Sequence, residues 1–326
     1  MKRGKPRTWL ALLSVLLGTL VLAGRVQAQT KVRVGKAVGE AFSFVPLDVG
    51  MQEGTFRKHG IQVEEYDFGG DAKLQQALMA NSIDIGLGSG PGLAFEAKGV
   101  PVIGVAAMAN APRLLVLAVA KNGPIHTVND LKGKIVSVST EGSVTNWLVH
   151  ELADKQGWGT DGIRTLPVGT DAAQISALET HQVAGIVVDI AAAYRLEDAG
   201  QVRILVRFGD LFPNFIIHVI FASRSFANQH PDAVRNFLAG WFETIDYMQN
   251  HKANTVAIAA RVMGVSPSIA SRVYDELMPM FNRNGRFDPK ALAVLQRSFV
   301  QMGILSTEPD MSKLVTEKYL PNPSAK

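Results

Sequence analysis

Two stretches of this chain carry the same pattern at one constant offset. DAKLQQALMANSI from Asp71 aligns with DAAQISALETHQV from Asp171, so that Asp71/Asp171, Ala72/Ala172, Ala77/Ala177, Leu78/Leu178 and Ile83/Val183 coincide. Each reads as an amphipathic helix running into a strand, IDIGLGS in the first copy and GIVVD in the second. Two copies are too few for a solenoid. They suffice for two α/β lobes of similar construction, the competing explanation being coincidence between two capped helices.

The rest of the chain repeats the alternation. KVRVGKA places Val32 and Val34 at period two, as in a half-buried strand. A helix is expected over residues 46–58, closed by Gly60, followed by a strand over 61–66 and a Gly69-Gly70 turn. Asp71 then reads as the cap of a helix. Pro91 suits the first turn of another helix, ending at Gly99. The continuous apolar runs 101–108 and 114–120 suit strands covered on both faces. From Pro124 the pattern restarts: a capped turn at 128–131, a strand at 135–140, and a helix from Ser143 with Val144, Leu148 and Leu152 on one face. Strands are expected at 164–168, 185–188, 203–208 and 215–223, then helices over 231–250, 254–263, 266–281 and 289–302. Alternation of this kind predicts an α/β fold with largely parallel sheets. No long Pro/Ser linker divides the chain, so the second lobe (119–217) is expected to be inserted in the first (29–118 and 218–326, the latter mostly helical). The crossovers then fall near 115–125 and 215–222.

The formal charge of +4 would suit a nucleic-acid partner, but the start of the chain accounts for it. Lys2, Arg3, Lys5 and Arg7 precede an apolar run from Trp9 to Ala23, and Val26-Gln27-Ala28 supplies a small-residue cleavage site. The run is short of the roughly 20 residues a membrane span needs, so residues 1–28 read as a cleavable signal peptide and the protein as periplasmic; a single membrane anchor is the alternative. Without them 28 basic residues face 29 acidic ones, with no basic block for phosphates, and nucleic acid is excluded. The absence of Cys excludes a disulfide scaffold, a cysteine metal site, a thiol nucleophile and a lipid anchor.

Reaction chemistry is equally hard to find. The seven His residues form no H-x-H or H-E-x-x-H pair. Ser89 is flanked by Leu87 and Pro91 where a nucleophile elbow needs glycines. The glycines at 86, 88 and 90 lack the third member of a dinucleotide fingerprint, and Ile163 stands where a phosphate-binding loop needs lysine. No catalytic residue, metal or cofactor is expected. Small and hydroxyl residues instead recur at the carboxyl ends of strands: Ser43-Phe44, Gly69-Gly70, Ser89-Gly90, and Thr140 with Ser143. Open α/β sheets bind ligands there, and helix N-termini favour anions. Asp189 ends a strand, where it either caps the next helix or offers its carboxylate to a cation or donor; Glu141 would oppose an anion beside Ser143. Phe44 is either an apolar wall or a staple onto the core.

MQEGTFRKHGIQVE (51–64), GGDAKLQQALMANSIDIGLGS (69–89) and DLKGKIVSVSTEGS (130–143) resemble the nitrate/sulfonate/taurine-type solute-binding proteins of ABC importers, whose relatives include binders of thiamine's pyrimidine precursors. The resemblance runs over residues 31–225. It implies a two-lobed type II periplasmic binding fold, a small-molecule ligand, an inner-membrane ABC permease with its ATPase as partner, and a monomer. The implied pocket comprises Ser43, Phe44, Gly69, Ser89, Thr140, Ser143, Val144, Thr145 and Asp189, with Gly70 and Gly90 alongside. The chain departs from the family at Val188-Asp189-Ile190, where Trp-Asp/Glu-Pro is common, and at Glu141, where a small or polar residue is common. Both departures make a simple sulfonate less secure as the ligand; sulfonate, carboxylate, amine and pyrimidine-like solutes all stay open. A periplasmic enzyme on the same fold is disfavoured, since the fungal pyrimidine synthases use a Cys-rich motif. A ligand-dependent partner of a membrane sensor is not separable by sequence.

Overall fold

The computed structural model describes residue 1 and residues 29–321, so the expected signal peptide and its cleavage site lie outside the described residues apart from Met1. No helix among the described residues is long and apolar enough to cross a membrane.

Among the described residues, ten strands form two five-stranded sheets. In chain order they are β1 (Thr30–Lys36), β2 (Ile61–Asp67), β3 (Ile85–Ser89), β4 (Val102–Asn110), β5 (Leu115–Ala120), β6 (Ile135–Val138), β7 (Arg164–Pro167), β8 (Gly185–Asp189), β9 (Val202–Arg207) and β10 (Ile216–Ser223). The first sheet has the order β2-β1-β3-β10-β4 and the second β7-β6-β8-β5-β9. The lobes are built alike, with helices Asp71–Met79 and Asp171–Glu179 entering β3 and β8. The repeat extends to the backbone: Asn81 and His181, both non-glycine, turn through left-handed φ values of 53° and 59°. Asparagine tolerates that conformation better than most side chains.

Only part of each sheet is parallel. β1 runs parallel to β2 and β3, and β6 to β7 and β8. β10 lies antiparallel between β3 and β4, and β5 antiparallel between β8 and β9. The expectation of largely parallel sheets therefore needs correction. The antiparallel members are the strands next to the crossings: β5 is the first strand of the second sheet, and β10 the chain's return to the first. The crossings lie side by side, joined by Ala111 N donating to Phe215 O at 2.7 Å. The second lobe is thus inserted in the first.

Local departures from the sequence reading have local causes. The helix expected over 46–58 breaks into Val45–Glu53 and Thr55–Lys58 at Gly54, whose φ of 78° ends the first piece with a left-handed cap. The helix Asp71–Met79 is capped by Gly70 with no side-chain bond, so Asp71 is not its cap. The matching helix takes Thr170, whose hydroxyl accepts from Ala173 N at 3.3 Å.

The tail comprises helices Pro231–Asn250, Lys252–Met263, Pro267–Leu277 and Pro289–Gln301. The first packs on lobe 1, stacking Phe237 on Phe56 at 5.1 Å and burying Trp241 completely. The last two reach lobe 2: Arg272 pairs with Glu197 and Asp198 at 3.0 and 2.7 Å, and Gln301 accepts from Trp147 Nε1 at 2.8 Å.

Candidate functional site

The repeat makes the two halves of the site comparable position by position. At the carboxyl end of β3, both oxygens of Asp71 accept from Ser89 N, at 3.0 and 3.1 Å, and one also takes the Ser89 hydroxyl. The corresponding residues in lobe 2 are Asp171 and Asp189. There one oxygen of Asp189 accepts from Ala191 N at 2.8 Å, capping helix Ile190–Asp198. Burial raises the Asp189 pKa to about 6; the Asp171 charge pushes the same way, while the Ala191 bond and Arg195 pull it down. Burial likewise raises Asp71 and Asp171. Lobe 1 thus pairs a carboxylate with a hydroxyl, and lobe 2 sets two carboxylates together.

Ser43, Phe44 and Gly90 are buried, Ser89, Gly70, Ser143, Val144 and Asp189 half-buried, and Gly69 and Thr140 exposed. The structure brings Phe44 and Ser89 to one place through a residue the sequence reading passed over. His218 on β10 stands in register with Ser89 and meets the Phe44 ring edge-on, with centroids 5.1 Å apart. His218 is 7% exposed, and its Nε2 finds no protein partner. The Ser43 hydroxyl, fully buried, has none either. Gly90 has room for no side chain: a Cβ there would lie 2.0 Å from Ile216 O.

In lobe 2 the hydroxyls serve one another. Ser143 Oγ caps helix Val144–Lys155 by accepting from Asn146 N at 3.2 Å and donates to Thr140 O at 2.7 Å. Thr145 Oγ1, buried, lies 2.8 Å from Ser143 Oγ and 2.9 Å from Ser139 Oγ, and accepts from Ser139 N at 3.0 Å. The loop is held close to the tail, since a Cβ at Gly142 would meet Met302 O at 2.7 Å. The Gly69-Gly70 turn anchors just past the end of β1, Gly70 N donating to Ala37 O at 2.8 Å.

Two other features compete for attention. A surface cavity of about 410 Å³ includes Gly133, Lys134, Arg164 and His181. It sits at the amino ends of β6 and β7, away from Ser143 and Asp189, and ligand sites of open α/β sheets lie at carboxyl ends. Lys36, 2% exposed at the end of β1, is surrounded by Asp48 at 3.3 Å, Asp67 at 3.6 Å and Glu65. Its charge is satisfied within the lobe, which makes it a structural cluster. No group of three or more His, Asp or Glu residues suited to a metal occurs among the described residues.

Comparison with known proteins agrees with this architecture. The chain is 27% identical over 267 residues to a protein of Escherichia coli K12 named for the binding of aliphatic sulfonates, covering 77% of this chain and 81% of that one. The crystal structure of the periplasmic aliphatic sulphonate binding protein SsuA from Escherichia coli superposes with a TM-score of 0.75 at 21% identity, over 88% of this chain and 92% of that one. The desulfurization enzyme DSZB shares the fold too, with a TM-score of 0.63 at 14% identity over 89% of this chain and 97% of that one. Residues 41–255 match the family described as NMT1/THI5 like, and with most of its length so matched the chain belongs to the NMT1/THI5-like family.

Proposed function

We propose that the protein is the periplasmic binding component of an ABC importer. It captures a small organic solute between its lobes and delivers it to a membrane permease. The observation that carries this reading is the architecture itself: two sheets of equivalent order, joined by two crossings held side by side at Ala111 and Phe215. Such a pair of lobes can close about its crossings on a ligand and reopen at a partner. Ser43, Phe44, Gly69, Gly70, Ser89, Gly90, Thr140, Ser143, Val144, Thr145 and Asp189 are the residues we assign to the pocket. The relatives named for sulfonate binding support capture of a polar solute. The enzyme that shares the fold is 14% identical, against 27% for the relative named for sulfonate binding, so binding is the reading the relatives support.

Thermal melting of the exported protein against sulfonates, carboxylates, amines and pyrimidines tests the proposal. A ligand that binds only the folded state adds about 2.7 kcal/mol at roughly a hundred times its dissociation constant. For a chain of this size that raises the midpoint by about 5 °C. If none of these solutes moves the midpoint at millimolar concentration, capture is refuted.

A further inference from the structure

We propose that the solute is a hydrogen-bond donor, a protonated amine or amidine, and that His218 on β10 of lobe 1 accepts one of its N–H groups. This rests on the capture reading and narrows its substrate class.

His218 Nδ1 lies 3.3 Å from the carbonyl oxygen of Gly88. A carbonyl only accepts, so Nδ1 carries the hydrogen. Burial lowers the His218 pKa to about 4, with the Gly88 bond opposing the change, so the ring is neutral near pH 7. Nε2 is therefore a bare lone pair, buried between Phe44 and the end of β3 with no protein donor. A buried acceptor left empty is disfavoured, and a ligand N–H completes it. The unpartnered hydroxyl of Ser43, next to Phe44 in the chain, can take either role.

Ser89, Ser143, Ser139, Thr145 and Asp189 point to the same polarity. Ser89 spends its proton on Asp71, leaving lone pairs. Ser143 spends its proton on Thr140 O, and Ser139 and Thr145 bond to it and to each other. Asp189 offers only acceptors, one of them used by Ala191 N. A sulfonate presents acceptors alone and would set lone pair against lone pair at these side chains. An ammonium or amidinium presents donors alone. Arg195 acts on Asp171 and Asp189 from the same helix as Ala191, and a ligand cation would add to its effect.

The test uses probes that share a phenyl ring and differ in the head group: benzamidine and benzylamine against benzoate and benzenesulfonate, with propylamine and propanesulfonate as a smaller pair. Melting and titration calorimetry should show stabilisation by at least one cation and none by its matched anions. His218→Phe keeps a ring against Phe44 and removes the acceptor; affinity for that cation should fall about tenfold. Stabilisation by the anions and not the cations would overturn the inference while leaving capture intact. Silence from all six probes would overturn the inference, whereas capture falls only if the broader panel is silent as well. Unchanged affinity in His218→Phe would remove His218 from the site. Should that variant fail to fold, nitrogen NMR of wild-type protein with labelled histidine decides: hydrogen on Nδ1 with a bare Nε2 is expected, and hydrogen on Nε2 would refute the acceptor role.

Discussion

Asp189 gives one oxygen to the helix it starts, and burial lifts its pKa to about 6. The unfolded value is about 3.9, so the folded chain holds this proton more tightly and loses stability as pH rises from about 4 to 6. Asn caps about as well as Asp. The ligand-free melting point of Asp189→Asn should therefore hold or rise slightly at neutral pH. Its affinity for a cationic ligand should fall about tenfold to a hundredfold, the worth of a charged hydrogen bond. Titration calorimetry checks this, and unchanged affinity would leave Asp189 as a cap alone. Wild-type affinity should also decline below about pH 6, and that decline should vanish in the variant. Glu96 allows an independent check on burial. Its side chain pairs with Arg224, yet burial outweighs that attraction and raises its pKa from 4.5 to about 8. Stability is then lost as pH climbs through that window. Glu96→Gln removes the buried charge, so its melting point relative to wild type should be higher at pH 8 than at pH 5. A difference that ignores pH would contradict this account.

At the level of elements, the end of β1 depends on Lys36. Its ammonium, 2% exposed, holds Asp48 from the first helix together with Glu65 and Asp67 from β2. Burial, aided by Glu65, lifts the Asp48 pKa to about 6, while Lys36 opposes that rise. Removing Lys36 leaves Asp48 and Glu65 facing each other without their cation. Because those carboxylates are 18% and 22% exposed, the cost is about 1–3 kcal/mol, below that of a fully buried pair. Lys36→Met should destabilise by that amount in urea unfolding, against little change for the exposed Lys31, paired only with Glu64. The break at Gly54 has a different origin. Any side chain there must adopt φ near 78°, so Gly54→Ala should cost about 1 kcal/mol or more.

For the whole molecule, the tail decides how the lobes sit. Glu276 receives Arg207 at 2.9 Å and Arg113 at 3.4 Å, Arg113 standing beside the first crossing. Trp147 stacks on Phe215 at 4.8 Å, beside the second crossing, while donating to Gln301. Gln301 in turn donates to Glu151 at 2.9 Å. Gln301→Ala removes both bonds between the last tail helix and lobe 2. Each is worth about 1 kcal/mol, enough to shift a two-state lobe equilibrium several-fold. Small-angle scattering of the ligand-free variant should show a larger radius of gyration than wild type at an almost unchanged melting point. An identical scattering curve would mean that these bonds do not hold the lobes.

Periodicity and repetition are local properties, and they carried the strands, the paired helices and the two-lobed plan. Val32 and Val34 alternate because one face of β1 is buried, and DAKLQQALMANSI repeats as DAAQISALETHQV because both lobes use one design. Ser89 and Asp189 were legible as strand-end residues for the same reason, whereas Ser43 and Phe44 lie in a helical turn beyond the end of β1. What could not be read was anything decided by a neighbour distant in sequence. Asp71 looks like a cap in isolation, but its carboxylate turns to Ser89 across the strand. β5 and β10 read as ordinary buried strands, and only pairing shows that each runs against its neighbours. His218 sits in an unremarkable apolar run, and only folding sets it beside the Gly88 carbonyl and the Phe44 ring. The sequence by itself determined which segments become helix or strand, because those follow from backbone periodicity and end chemistry. Only the tertiary structure decided which polar atoms keep their hydrogens and which remain empty, because a hydrogen bond depends on the partner that folding places within about 3 Å.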